Sequence, residues 1–330
     1  MKSFSPILAG LVLALALPVA QAEAPATPDL KEWDIPWDNT RPRDPWVGPQ
    51  DNTVWFVGQA GDYVATLNPE TGSLKRYRLD PGTGPHNVIA DERGAFYAGN
   101  QAEHIGLIDP DSGEIRKFRL EGDGPKDVHT MAFDANGDIF FTEQGGNRIG
   151  WLDVDEYDFR MFDVETEWAR PYGIVVSQDN RPWVALFGTN KLATVDAKGT
   201  SHEVTLPREG ARPRRLDMTD DGMVWYVDYA EGFLGRLNTD SGQIQEWPVP
   251  GGPDARPYAM ALDDQNRSWF VETGHSPNRL IGFDPKTESF SEPATIPSGG
   301  GTVRHMVFDP EARALWFGTD TNTVVRATLR

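Results

Sequence analysis

His129 and Glu143 stand fourteen positions apart in the stretch DVHTMAFDANGDIFFTE, and Asp127 precedes the histidine by two. An imidazole titrates near neutral pH, and a carboxylate within reach can orient it or share its proton, so the pair has the composition of a general acid/base couple. Fourteen residues of extended chain would hold the two groups far apart. They meet only if the chain reverses between them. The segment DANGD is a turn signal between two apolar runs, so MAF and IFFTE read as neighbouring antiparallel strands that bring Glu143 back beside the histidine. A second imidazole, His86 in GPHNV, precedes the same kind of strand–turn–strand unit.

That unit recurs along the chain. Its copies begin near Trp46, His86, His129, Tyr172, Arg214, Tyr258 and His305, at intervals of 40, 43, 43, 42, 44 and 47 residues by subtraction. Each holds an inner strand, a turn, a second strand, a third strand ending in IG-x-L or its equivalent, and a fourth such as GQIQEWPVP. Seven units of about 43 residues predict an all-β, seven-bladed β-propeller with four-stranded blades. The last copy ends at VVRATLR without a fourth strand, and LKEWDIP (30–36) resembles the fourth strand IQEWPVP of the fifth copy. The N-terminal segment is therefore expected to complete the last blade and close the ring, covering edges that would otherwise invite aggregation.

Inner strands line the channel of such a ring, so corresponding positions converge on one mouth. The expected mouth ring is Trp46, His86, His129, Tyr172, Arg214, Tyr258 and His305, with a second ring of Gly58, Gly99, Glu143, Leu186, Asp228, Glu272 and Thr319 at the ends of the second strands. Rings that mix imidazole, phenol, indole, guanidinium and carboxylate suit a concave site for a polar or mixed ligand. His104 and His202 read as exposed turn or outer-strand residues, and His275 as a turn residue near the mouth.

Composition narrows the partners. Formal charge is −19, a surface that repels nucleic acid and anionic lipid, so neither nucleic-acid binding nor membrane insertion is expected. There is no cysteine, so stability must come from burial. Residues 1–22 carry Lys2, an apolar run from Ile7 to Val19 and the small-residue site Ala20-Gln21-Ala22, the pattern of a cleaved signal peptide. The expected mature chain is exported to the periplasm or secreted after cleavage near Ala22. It then has a flexible leader over 23–29 and a single propeller domain over 30–330, and is a monomer.

The repeat from Trp46 to Arg330 resembles that of the virginiamycin B lyases, also called streptogramin B lyases. These are seven-bladed propellers that open a cyclic depsipeptide by magnesium-assisted elimination. The family's functional residues are a His in a P-H-x-I context, a Glu-x-His in the next blade, and a Glu fourteen residues further on. Here His86, Asp127, His129 and Glu143 match that spacing, with Asp127 in place of Glu, but on the second and third blades rather than the last two. Without rotation of the blades the corresponding residues are Tyr258, Val303, His305 and Thr319. The resemblance implies His129 as base, Glu143 orienting it, His86 assisting, and Mg2+ held through Asp127 or Glu143. Trp46, Tyr172, Arg214, Tyr258, Glu272 and His305 would contact a small-molecule or cyclic peptide substrate. Two alternatives stay open: a non-catalytic propeller that binds a peptide, glycan or protein, and a sugar lactonase with Ca2+ among Glu143, Asp228 and Glu272.

Overall fold

The computed structural model describes residues 24–49 and 53–330. Residues 1–22, read above as a signal peptide, lie outside them. Seven antiparallel sheets are arranged as blades around a central channel. Their inner strands are Pro42–Val47, Pro85–Asp91, Val128–Phe133, Pro171–Val176, Pro213–Met218, Pro257–Leu262 and Met306–Asp309. Blade 3 shows the plan, with Val128–Phe133, Ile139–Glu143, Arg148–Asp153 and Asp158–Asp163 in order from the channel outward. The N-terminal strand Asp29–Asp34 pairs with the C-terminal strand Thr323–Thr328 over six residues and supplies the outer strand of blade 7. This closure is the one expected from LKEWDIP.

Side chains alternate across each strand, and both faces of a blade meet another blade, so both faces must be apolar. In the second strand of blade 3, Ile139 and Phe141 pack with Phe96, Ile105 and Phe118 of blade 2. Phe140 turns the other way, to Ile174 and Val184 of blade 4. Seven such apolar clusters fill the seven inter-blade seams. The indoles of Trp225, Trp269 and Trp316 are fully buried in them. Burying one large apolar side chain contributes about 1.5–3 kcal/mol of transfer free energy. The glycine of the IG-x-L motif has a packing reason: at Gly150 an added Cβ would overlap the Phe141 ring, which lies flat on the third strand.

One irregularity positions the mouth residues. In blades 2 to 6 the inner strand carries a bulge just after its first residue: Val128 pairs with Glu143 and Met131 with Phe141, so His129 and Thr130 together oppose a single residue. A bulge bends the strand and re-aims its side chains. The residue after the first strand position thereby turns to the channel mouth instead of into a seam.

Candidate active site

Aligning the blades on these pairings gives the mouth ring as Arg43, His86, His129, Tyr172, Arg214, Tyr258 and Arg304, with Asp44, Asn87, Thr130, Gly173, Arg215, Ala259 and His305 one level deeper. Two expected members are thus displaced. Trp46 lies three residues beyond the ring position, in the seams on either side of blade 2, where it meets Phe133 edge-on and donates from Nε1 to Ala90 O at 2.9 Å. His305 lies one level below the mouth, and Arg304 takes its place. The unrotated motif on blades 6 and 7 therefore loses its only histidine. The missed Arg43 and Asp44 had a signal, since an Arg-Pro dipeptide opens TRPRD as it opens ARPYG, ARPRR and ARPYA; the missed Arg215 and Arg304 had none. Anchored on Arg43 and Arg304, the intervals become 43, 43, 43, 42, 44 and 46, removing the short first step.

The histidine pair is real. The His86 and His129 rings lie 3.6 Å apart between centroids, and His129 lies 4.0 Å from the Tyr172 ring. Tyr172 and Tyr258, two blades apart, meet hydroxyl to hydroxyl over the ring. Below them Arg215 crosses the channel and ties four blades together. It donates to Asp44 Oδ2 of blade 1 at 2.9 Å, to Thr130 Oγ1 of blade 3 at 3.0 Å and to the Arg304 carbonyl of blade 7 at 2.9 Å. Thr130 Oγ1 is in turn 2.8 Å from His129 Nδ1, so a continuous chain runs Asp44–Arg215–Thr130–His129. Arg43 Nε donates to Asp44 Oδ1 at 2.9 Å.

These contacts fix the charge states. Burial alone would raise the Asp44 carboxyl, but Arg43 and Arg215 hold it well below the usual range. Burial pushes both His86 and His129 well below the ordinary imidazole value; Arg43 adds to it at His86, and Arg215 at His129. His305 goes down to about 3 for the same reasons, burial and then Arg215. At neutral pH all three imidazoles are uncharged, the form in which an imidazole can accept a proton.

The carboxylates of the second ring behave differently from the expectation. Glu143 pairs with Val128 in the ladder, yet its Oε2 accepts from Arg148 Nε at 2.8 Å and no hydrogen bond joins it to His129. Burial pushes its carboxyl up to about 7 against the opposing pull of Arg148, and Oε1 has no partner. Asp228 is bound by Arg208, and Glu272 by Arg279 and the Gly251 N–H. Each serves its own blade, and Glu272 does not join the mouth ring. Both oxygens of Asp127 accept from the Gly145 N–H at 2.9 Å, closing the loop that follows Glu143. Among the described residues no three His, Asp or Glu side chains are grouped as metal ligands. Asp127 and Glu143 do not fit a magnesium site in this arrangement, since a cation at Glu143 would face the Arg148 guanidinium.

Two further histidines can be placed. His202 sits on an outer strand against Asp196, as expected. His104 is buried, held between the Tyr97 hydroxyl and the Ala102 carbonyl, because a third-strand position faces a seam and not a turn. On the opposite face, the turns after the inner strands leave clefts between blades, one of about 420 Å³ lined by Ser177, Asp179, Asp221 and Asp240 among others. It holds no histidine and lies at the far end of the strands from the mouth. No helix among the described residues is long and apolar enough to cross a membrane.

The fold has known counterparts. A streptogramin B lyase structure superposes with a TM-score of 0.83 at 23% identity, covering 94% of this chain and 100% of that one. Virginiamycin B lyase from Staphylococcus aureus superposes with a TM-score of 0.82 at 24% identity over 92% of this chain and 99% of that one. A curated relative, virginiamycin B lyase of Nocardia farcinica, is 27% identical over 211 residues, 64% of this chain and 70% of its own. The model of the virginiamycin B lyase family matches residues 28–327, all of the propeller but its last three residues. By the extent of that match, the chain belongs to the virginiamycin B lyase family.

Proposed function

We propose that the protein is an exported carbon–oxygen lyase that opens an ester by elimination at the channel mouth. The observation that carries this reading is the contact between two uncharged imidazoles, His86 and His129, beside Tyr172 at the channel mouth, in a chain of the virginiamycin B lyase family. Export rests on the signal pattern of residues 1–22.

In such an elimination a base removes the proton from the carbon next to a carbonyl. The C–H electron pair becomes the new C=C bond, the neighbouring C–O bond breaks, and its electrons leave with the departing carboxylate oxygen. His129 Nε2 is the base. For Nε2 to accept, Nδ1 must carry the other proton and donate it to Thr130 Oγ1, which keeps a lone pair for this while accepting from Arg215. A positioned base contributes a factor of about 10² to 10⁴. Arg43, whose Nη2 is buried without a partner, faces the charge that builds on the carbonyl oxygen. Tyr172 and Tyr258 flank the same place with hydroxyls that bond to each other and leave one O–H proton free to donate. No step is assigned to a metal.

Linearisation of a streptogramin B, followed by mass spectrometry with and without EDTA, tests the reading. The expected product has unchanged mass and a new double bond, formed by the wild type and lost in His129→Ala. Turnover by His129→Ala at the wild-type rate would refute the assignment of the base. A wild type inactive on this and other cyclic esters would favour a binding role for the mouth.

A further inference from the structure

The mouth of this very acidic protein is positively charged. Three arginines belong to its ring, Arg43, Arg214 and Arg304, and Arg215 lies one level below. Two carboxylates answer them, Asp44 for Arg43 and Arg215, and Asp320 for Arg304. Arg214 has no carboxylate partner among the described residues. Its guanidinium is held by ring faces instead, 3.7 Å from the Tyr229 centroid, 4.0 Å from Phe187 and 4.4 Å from Tyr258. Aromatic faces steady a guanidinium without using its N–H groups. The edge of Arg214 is therefore fixed in direction and left with its donors.

Unsatisfied polar atoms gather at the same two levels of the channel. Arg214 Nε, Arg43 Nη2, His86 Nδ1 and His305 Nδ1 are all buried without a hydrogen-bond partner. Arg43 and His86 are 4% and 5% exposed, so water does not freely satisfy them. A buried donor left unpaired is costly, and native proteins seldom leave several together unless something else fills them. An arginine fork pairs best with a planar, two-oxygen anion, and the surrounding rings favour an organic body behind it.

We propose that Arg214 and Arg43, framed by Tyr172, Phe187, Tyr229 and Tyr258, form a carboxylate-binding subsite, so that the natural ligand enters the mouth as an organic carboxylate. This rests on the mouth being the substrate site, as in the preceding section, and narrows the substrate class to esters that also carry a carboxylate. It also supplies a chemical reason for arginine at the mouth. A proton next to a carboxylate-bearing carbon is hard to remove unless that negative charge is neutralised, and guanidinium groups do so.

Binding is measured without turnover, so failure of the elimination reading and failure of this one are separable. Benzoate, galacturonate, benzamide and inorganic phosphate are titrated calorimetrically into the full chain, the wild type against Arg214→Gln and Arg214→Lys. Both substitutions are at a half-buried position outside the Asp44 network and spare the fold; unchanged circular dichroism and melting verify this. Benzoate or galacturonate is expected to bind the wild type, with benzamide at least tenfold weaker. Arg214→Gln should lose at least tenfold in affinity, and Arg214→Lys should retain part of it. Equal binding of benzoate and benzamide, no binding of either carboxylate, phosphate bound more tightly than both, or an unaffected Arg214→Gln would each overturn the proposal.

Discussion

Asp44→Asn is the most exacting perturbation of the channel. The Asp44 side chain is fully buried and accepts from two guanidiniums that are themselves 5% and 2% exposed. The substitution keeps the shape and one acceptor oxygen but removes the charge, leaving Arg43 and Arg215 uncompensated in a dry site. Breaking a buried ion pair from one side costs about 3–5 kcal/mol, and the retained oxygen places this case near about 3 kcal/mol. Urea unfolding followed by tryptophan fluorescence at pH 7 measures it. Asp196→Asn, at the exposed His202 pair, serves as a control whose midpoint should not move. Adding Arg215→Met to Asp44→Asn should recover part of the loss, because one of the two stranded charges is gone. The pH dependence supplies the sign. The Asp44 carboxyl is held well below its unfolded value of about 3.9, so its stabilisation is complete above that value and is lost as pH falls through the folded pKa. The Asp44→Asn penalty should therefore shrink below about pH 3.9. A loss under about 1 kcal/mol at pH 7, or a penalty that grows in acid, would refute a charged Asp44 clamped by two arginines.

Acid should also destabilise the protein through its histidines. His86, His129 and His305 take up protons in the unfolded chain below about pH 6.5 but not in the native one, and each costs up to about 1.4 kcal/mol per pH unit. Glu143 and Asp217, raised by burial to about 7 and about 6, act oppositely until the unfolded carboxylates protonate. Asp217→Asn should thus steepen the loss between about pH 6 and pH 4 in chemical denaturation, and an unchanged slope would remove Asp217 from the account. Thr130→Val strands Arg215 Nη1 and His129 Nδ1, and should lower kcat on any eliminated ester about tenfold or more with KM little changed, read from steady-state kinetics. Gly150→Ala pushes a methyl into the Phe141 ring and should cost about 1–3 kcal/mol in urea unfolding.

The architecture was legible in the sequence because it is written seven times. Strand periodicity, turn signals and a period near 43 residues are local or repeated properties, and the missing outer strand of the last copy pointed to LKEWDIP at the other end of the chain. The closeness of His86 and His129 followed from the same repeat. The sequence also contained the correct ring position for blade 1, in the Arg-Pro dipeptide of TRPRD, but the DPW of the same segment offered a competing alignment three residues later. Only the hydrogen-bond register separates the two, since a strand and a bulge are both compatible with either.

What the tertiary structure decided is where charges go. Glu143 and His129 are placed near one another by the ladder, yet a carboxylate turns to the strongest donor within reach, and that donor is Arg148 on the neighbouring strand. Arg215 sits next to a ring residue in sequence and carries no motif, but the ring symmetry points it down the channel, where it meets Asp44, Thr130 and the Arg304 carbonyl from three other blades. Contacts among residues 85 to 171 positions apart have no local signature. They exist because seven blades close on one axis, and closure is a property of the whole chain.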